Sequence, residues 1–128
     1  MNKYKMTDLG PAQLFLSIQI VRNRAEKTIF LHQTRYIDTV LKRFGMEDVN
    51  GVYTPLPAHI RLRETDNDLL NPAGISLYLL IVGSLMYAMT STRPDLAFTI
   101  SRLSKFSLKP METHLAAAKH ALRYLKKT

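Results

Sequence analysis

The chain has 128 residues, a length that suits one domain or a piece of a larger one, and 46% of them are hydrophobic, enough for a core. It contains no cysteine, which excludes disulfides, thiolate catalysis and cysteine-ligated zinc and agrees with a reducing compartment. No apolar segment follows Met1-Asn-Lys-Tyr-Lys5, so we expect no secretory signal and an intracellular location, cytoplasmic or nuclear.

The net charge of +8 is unevenly distributed along the chain. Residues 1–45 carry +5 (eight Lys/Arg, three Asp/Glu), residues 46–101 carry −3 (three and six), and residues 102–128 carry +6 (seven and one). Basic segments on both sides of an acidic one predict a polyanion contact at one or two surfaces. Basic residues that merely solvate helix faces would give the same distribution.

The N-terminal part predicts a β-hairpin. Residues 14–20 place Leu or Ile at every second position, which is the period of a strand with one buried face. Thr28-Ile-Phe-Leu31 predicts a second strand, and the polar segment Arg22-Asn-Arg-Ala-Glu-Lys27 predicts the turn between them. Asp8-Leu-Gly-Pro11 predicts a turn ahead of the hairpin.

The period changes to that of an amphipathic helix between Thr34 and Phe44. Thr34 is the predicted N-cap, and Gly45 is the predicted residue just past the helix end. Lys42 and Arg43 are favourably placed in the last turn. The predicted apolar face consists of Tyr36, Ile37, Val40, Leu41 and Phe44.

Residues 46–75 lose this period and are rich in loop-forming residues such as Pro55, Pro57 and Asn71-Pro72. A segment of this length without regular structure is unusual inside a compact domain. We therefore expect either a functional loop or a segment that crosses its neighbours and lies on them.

Residues 76–91 are almost wholly apolar and predict a helix that Ser76 caps. We expect this run to be too short for a membrane span, which needs about 20 apolar residues, and we expect no membrane contact. A helix that is apolar on all sides is buried in a core or against a partner. Gly83 and Ser84 are small enough to let another element approach closely.

Two further helices are predicted in the C-terminal part. One runs from Pro94 to Phe106, with Thr92 as its N-cap and Asp95 near its positive end, and the other begins at Pro110-Met111. The predicted fold is therefore α+β, with an N-terminal β-hairpin followed by a small bundle of about four helices. The apolar stripes are Leu96, Ile100 and Leu103 on the first helix and Leu115, Ala118, Ala121, Leu122 and Leu125 on the second.

The most specific motifs are Gly83-Ser-Leu-Met-Tyr87 and Thr92-Arg-Pro-Asp95. Weaker motifs are Tyr4-Lys-Met-Thr-Asp-Leu-Gly10, Phe15-Leu-Ser-Ile18, Leu31-His-Gln33 with Tyr36-Ile37, Thr54-Pro55, and His114 with Leu122-Arg-Tyr-Leu125. In their order and spacing, these motifs resemble the C-terminal part of the reverse transcriptase of copia-type retrotransposons. The resemblance covers nearly the whole chain.

The resemblance implies a single partial domain, residues 1–128, from within a Pol polyprotein. Residues 1–33 would be the end of the palm with a primer-grip-like hairpin, 34–45 the first thumb-like helix, 46–75 a loop, and 76–128 the helical thumb and connection. The fingers, the catalytic Tyr-x-Asp-Asp region and its Mg²⁺ ions would lie upstream, and RNase H would lie downstream. These missing segments are therefore implied partners, and the chain itself is expected to be non-catalytic.

The sequence departs from the family pattern at two places. Leu79 and Leu80 follow Tyr78, where the family usually has basic residues, and Ser17 stands where a glycine is usual. The first departure removes positive charge and adds apolar surface. The second is expected to crowd a strand that approaches nucleic acid.

Catalytic chemistry is not expected from the residues themselves. Two-metal phosphoryl transfer needs carboxylates that converge on ions about 4 Å apart. Asp66-x-Asp68 is the best local pair, but no strand holds it, which favours a solvated loop. Asp95 is better explained by helix capping, and His114 by a structural role on the apolar side of its helix. Because the sequence has no helical His-x-x-x-His pair and no glycine-rich phosphate loop, we predict no catalytic, metal or cofactor site.

Contact with the phosphates of RNA, DNA or an RNA–DNA hybrid is the main functional prediction. Lys119, Arg123 and Lys126 share one face of the last helix, bordered by His120 and Lys127, although this face could simply be solvated.

The hairpin turn offers a second predicted patch, formed by Arg22, Arg24 and Lys27. Tyr36 and Phe30 are either stacking surfaces for bases or, as their pattern favours, core aromatics.

Two other functions stay open at this level. The chain could be an interaction module that self-associates or docks on a protein through residues 77–89, because an open strand edge and an apolar helix both favour association. It could also be a decayed reading frame without function.

Overall fold

The computed structural model describes residues 5–63 and 69–128, and in this part of the chain it has a three-stranded antiparallel sheet followed by four α-helices. The α+β fold is confirmed. Asp66-x-Asp68 and the first residue of the Tyr4–Gly10 motif lie outside the described residues. The elements are β1 (Leu14–Phe15), β2 (Ile18–Asn23), β3 (Thr28–His32), α1 (Thr34–Arg43), α2 (Pro72–Ser91), a 3₁₀ turn (Pro94–Leu96), α3 (Ala97–Ser104) and α4 (Glu112–Lys127).

The predicted single strand over residues 14–20 is wrong, because the chain reverses at Leu16-Ser17 and forms β1 and β2. Both turn residues have positive φ, 49° for Leu16 and 67° for Ser17, and Phe15 pairs directly with Ile18. Two-residue hairpin turns of this kind normally contain Asn or Gly. Leu-Ser is not a typical turn sequence and fits the alternating pattern of a strand, so the sequence did not indicate the turn. The sheet order is β1-β2-β3.

The N-caps predicted at Thr34, for α1, and at Thr92, for the helix that follows α2, are both wrong. Gln33 occupies the N-cap position of α1, and the hydroxyl of Thr34 instead hydrogen-bonds to His32 Nδ1 at 2.9 Å. Thr92 is the C-cap of α2, while Arg93 precedes the 3₁₀ turn. The Thr34 hydroxyl has a local partner, His32, and the Thr92 hydroxyl has a distant one, Gln33, so neither caps a helix.

The end of α1 is formed as predicted. Gly45 has φ of 65°, and its N–H donates to Lys42 O at 3.1 Å. The Met46 N–H donates to Leu41 O at 2.8 Å, which completes a Schellman motif. The chain thereby turns sharply from α1 into the long connection.

Helix α2 begins earlier than predicted, because Asn71-Pro72 is a helix start rather than loop. Asn71 Oδ1 accepts the Gly74 N–H at 2.8 Å, and Pro72 occupies the first helical position. The predicted cap at Ser76 is therefore wrong. With 20 residues, α2 is long and apolar enough to cross a membrane by length and composition, so the argument from insufficient length is also wrong.

The core of the described residues nevertheless forms around α2, and the core helix of a soluble protein passes the same test of length and composition. Tyr78 is fully buried, its hydroxyl donates to Leu103 O at 2.5 Å, and burial raises its pKa to about 12. The stripe Leu96, Ile100 and Leu103 is buried as predicted. Other members of the core are Val40, Leu41, Ile81, Val82, Leu85, Ala88, Leu115, Ala118, Ala121, Leu122 and Leu125.

Candidate nucleic-acid interface

The N-terminal end of the long connection crosses the basic face of α4. We call residues 47–54 the strap. Arg123 Nε donates to Asn50 O at 2.7 Å, and in return the Val52 N–H donates to Arg123 O at 3.3 Å. Lys126 Nζ donates to Glu47 O. The expectation that this segment lies on its neighbours therefore holds for the strap.

The middle of the strap makes a close contact with α4 at Gly51. A Cβ atom added to Gly51 would lie 2.7 Å from Lys127 Cβ and 3.1 Å from its Cα, so only glycine fits without movement. The next contact is a cation–π interaction, because Lys127 Nζ lies 4.9 Å from the ring centroid of Tyr53.

His120 ties the end of the strap to the helix. Its Nε2 lies 3.0 Å from Thr54 O, and since a carbonyl can only accept, this nitrogen carries the proton. Burial lowers the pKa of His120, and the hydrogen bond to Thr54 opposes that shift. The Nε2–H group of His120 therefore ties the ring to the strap.

The predicted α4 patch is thus largely occupied by the strap. Arg123, Lys126 and Lys127 each contact it, whereas Lys119 is exposed and has no side-chain hydrogen bond or ion pair within the described residues. The face is basic, as the sequence predicts. Arg123 and Lys126 donate to backbone carbonyls of the strap and Lys127 lies over an aromatic ring, while Lys126 and Lys127 stay exposed to solvent.

The β2–β3 turn is built by Asn23, whose Oδ1 accepts the N–H groups of Ala25 at 3.1 Å and Glu26 at 3.3 Å. Lys27 has φ of 56°, and its N–H bonds to Arg24 O at 3.4 Å. Asparagine favours such local side-chain bonds, so the predicted turn forms for a recognisable reason.

The structure brings the predicted turn patch together. Arg22, Arg24 and Lys27 are all exposed and line one shallow cleft of about 310 Å³. Within residues 5–63 and 69–128 their side chains make no hydrogen bond or ion pair. Three unpaired cations around one cleft can contact phosphate oxygens without rearrangement.

The two candidate stacking residues have different environments. Tyr36 is partly buried, its hydroxyl donates to Ser84 O at 3.0 Å, and its ring meets Tyr87 edge-on at 5.0 Å. Phe30 is 64% exposed and stacks on His32 at 5.3 Å. Tyr36 is therefore a packing residue, while Phe30 presents an open aromatic face on the sheet.

His114 has the structural role predicted for it. The ring is fully buried and stacks on Phe106 at 3.9 Å. Its Nδ1 accepts the Met111 N–H at 3.0 Å and its Nε2–H donates to Arg63 O at 3.1 Å, so the imidazole is neutral. Burial lowers its pKa.

Asp95 does not cap a helix, and that expectation is corrected. It accepts two hydrogen bonds from Arg93, at 3.1 and 2.8 Å, and one from the Tyr124 hydroxyl at 2.6 Å. The Arg93 hydrogen bonds lower the pKa of Asp95 to about 2. Asp95 therefore joins the Thr92-Arg-Pro-Asp95 motif to α4.

Within the part of the chain that the structure describes, no three His, Asp or Glu side chains come together in a way that could hold a metal ion.

Comparison with known proteins identifies relatives along nearly the whole chain. A retrovirus-related Pol polyprotein from transposon TNT 1-94 of Nicotiana tabacum is 42% identical over 130 residues, covering 98% of this chain and 10% of that protein. The Pol polyprotein from transposon RE1 of Arabidopsis thaliana is 36% identical over 124 residues, covering 96% and 8%. The chain is homologous to part of retrotransposon Pol polyproteins.

An uncharacterized mitochondrial protein of Arabidopsis thaliana is 33% identical over 125 residues, covering 98% of this chain and 50% of that protein. The chain thus spans half the length or less of these relatives. Neither a protein-family model nor a solved structure matches it significantly.

The two departures from the family pattern take clear positions in this Pol-related chain. Leu79 and Leu80 are 45% and 56% exposed on α2, so apolar side chains face solvent where the family usually has basic ones. Ser17 lies in the β1–β2 turn rather than within a strand, and its positive φ is a conformation that glycine adopts without strain.

The sequence indicated that this segment could cross its neighbours, but not that the strap lies on the basic face of α4, because most of its bonds to α4 use backbone carbonyls. It also did not indicate the contacts between motifs, which are those of Thr92 with Gln33 and of Tyr124 with Asp95. Gly51 is the only residue in the strap whose type is demanded by the contact.

Proposed function

We propose that the chain is a non-catalytic part of the reverse transcriptase region of a copia-type Pol polyprotein and that it contacts the primer–template. The observation that carries the proposal is the identity of 42% to a Pol polyprotein along 98% of the chain. In the resembling family, the matching region helps to hold the primer–template and does not carry the metal ions of nucleotidyl transfer. The net charge of +8 agrees with a polyanionic partner.

The turn patch, Arg22, Arg24 and Lys27, is the surface from which we expect contact first. Its cations are exposed around one cleft, and they can meet phosphate oxygens that RNA, DNA and a hybrid all present. Phosphate contacts carry no sequence information. Binding is therefore expected to be independent of sequence and sensitive to salt.

The test is the affinity of a short RNA–DNA hybrid, measured by fluorescence anisotropy at low salt. Replacing Arg22, Arg24 and Lys27 together by Gln is expected to weaken binding and to reduce the log–log salt slope by about 2.7, from about 0.9 for each lost contact. The control is the combined Gln variant of Lys5, Lys105 and Lys109, three exposed lysines elsewhere with the same charge change. Equal loss in both variants would reject the turn patch as the contact surface.

The non-catalytic part of the proposal has its own test. The purified chain is incubated with an annealed primer, deoxynucleotides and Mg²⁺, after removal of contaminating polymerase. We expect no extension. Primer extension that co-purifies with the chain would refute the proposal.

Self-association is a second candidate function, favoured by the exposed apolar stripe on α2. Leu79, Leu80 and Met86 are each more than 40% exposed on one side of the helix. Sedimentation should then show an oligomer that Leu80→Arg dissociates, while Thr113→Arg on the exposed face of α4 leaves it intact. An identical sedimentation coefficient for Leu80→Arg and the unaltered chain would remove this candidate.

A further inference from the structure

We propose that the strap is an intramolecular mask that competes with nucleic-acid phosphates for the basic face of α4. This inference rests on the proposed function and adds its regulation: strap atoms engage Arg123, Lys126 and Lys127 while residues 47–54 are docked, and lifting of the strap releases these cations for phosphates. The binding surface would then have a free part, the turn patch, and a part on α4 for which the strap competes.

The strap contacts two of the α4 cations through neutral acceptor atoms. Arg123 Nε is bonded to Asn50 O at 2.7 Å, and Lys126 Nζ is bonded to Glu47 O. Both acceptors are neutral carbonyls. Guanidinium and ammonium groups bind anionic oxygens more strongly than neutral ones, so a phosphate is the better partner for the same donors.

The strap also carries two acidic side chains. Glu47 and Asp48 are exposed at the start of the strap, and the backbone oxygen of Glu47 accepts from Lys126 in the C-terminal turn of α4. A segment with two carboxylates beside a cationic helix face resembles a polyanion in its electrostatics. It lowers the local positive potential while it is docked.

The strap buries little apolar surface. None of residues 47–54 is fully buried, and Val49 is its only side chain packed against the core. Segments with little apolar burial and solvent-exposed hydrogen bonds open at a small part of the global unfolding free energy. The strap can therefore lift without unfolding the helices.

Substitution of Gly51 is expected to displace the strap without changing any charge. Gly51→Ala places a Cβ atom 2.7 Å from Lys127 Cβ, so the strap must move away from α4. Gly83→Ala is the matched control, because a Cβ atom there meets nothing within 4 Å. Faster hydrogen exchange of the Val52 amide, which bonds to Arg123 O, reports that the strap has lifted.

The experiment measures binding of a short DNA duplex between about 50 and 200 mM salt for the unaltered chain and both alanine variants. We expect Gly51→Ala to bind more tightly and its log–log salt slope to steepen by up to about 2.7, for three added phosphate contacts. Gly83→Ala should behave as the unaltered chain. In the Gly51→Ala background, replacing Arg123, Lys126 and Lys127 by Gln should abolish the gain.

The outcomes separate this inference from the proposed function. If the unaltered chain binds with a salt-dependent affinity and Gly51→Ala binds identically despite faster Val52 exchange, the mask is refuted and the proposed function stands. If neither binds, both are refuted. If Gly51→Ala still binds more tightly after the Gln replacements, the mask is also refuted.

Tyr53→Ala, which removes the ring over Lys127, is the variant to use if Gly51→Ala does not fold. We expect it to give a smaller gain in affinity, and no gain would refute the mask.

Discussion

The hydroxyl of Thr92 donates a 2.6 Å hydrogen bond to Gln33 Oε1, and this contact joins the end of the sheet to the end of α2. The two residues belong to separate motifs, Leu31-His-Gln33 and Thr92-Arg-Pro-Asp95. Gln33 is 1% exposed, and within the described residues its Nε2 has no hydrogen-bond partner. The amide therefore depends on Thr92 for its one side-chain bond.

The first prediction concerns this bond. Thr92→Val keeps the side-chain shape but leaves the buried Gln33 amide without its partner, which costs about 1–3 kcal/mol of unfolding free energy. Urea denaturation measures the loss. The double variant Gln33→Met with Thr92→Val removes both polar groups and should recover most of the stability. If the double variant loses as much unfolding free energy as the two single variants lose together, the two side chains are not coupled.

The second prediction concerns the β1–β2 turn. Ser17 has φ of 67°, a left-handed conformation that costs a non-glycine residue about 1 kcal/mol. Ser17→Gly is therefore expected to raise the unfolding free energy by about that amount. The control is Ser76→Gly in the exposed part of α2, which should lower stability by up to about 1 kcal/mol, because glycine is unfavourable within a helix. Destabilisation by both substitutions would contradict the turn geometry.

The third prediction concerns pH. Burial holds the pKa of His114 below its ordinary value of 6.5, so the folded state keeps the ring neutral while the unfolded chain takes up a proton. Its contribution to stability is complete above that value and is lost as the pH falls through the lowered folded pKa. Denaturation midpoints should therefore decline in mildly acidic buffer.

The variant His114→Gln separates this contribution from others. Glutamine can still accept from Met111 and donate to Arg63, but it does not titrate. Its stability should fall less steeply with acid than that of the unaltered chain. Some dependence of stability on pH remains in this variant, because burial also lowers the pKa of His120. An unchanged slope in His114→Gln would mean that this ring does not titrate as described.

Helical periodicity predicted the fold well where a single face packs on the core. The stripe of α3 and the apolar side of α4 are buried as the 3.6-residue period requires, and the end of α1 at Gly45 follows from its left-handed φ. The sheet was predicted less well. Leu16-Ser17 adopts a turn conformation normally reserved for Asn and Gly, and the start of α2 was hidden because Asn-Pro is also common in loops.

The sequence predicted which basic residues form the candidate site, but not whether their side chains are free to bind phosphates. A helical wheel places Lys119, Arg123 and Lys126 on one face without knowledge of the fold. It cannot show that Asn50 and Glu47 supply carbonyls to two of them, because backbone acceptors are the same at every position. The turn patch was easier to predict, since its cations lie in one short segment that a local turn brings together.

Salt-dependent binding of a short duplex by the unaltered chain tests the central claim most directly. Three to four phosphate contacts, from the turn patch and the exposed Lys119, predict a log–log slope near −3, from about 0.9 per contact. Affinity that does not change with salt, or no binding at low salt, would contradict the account.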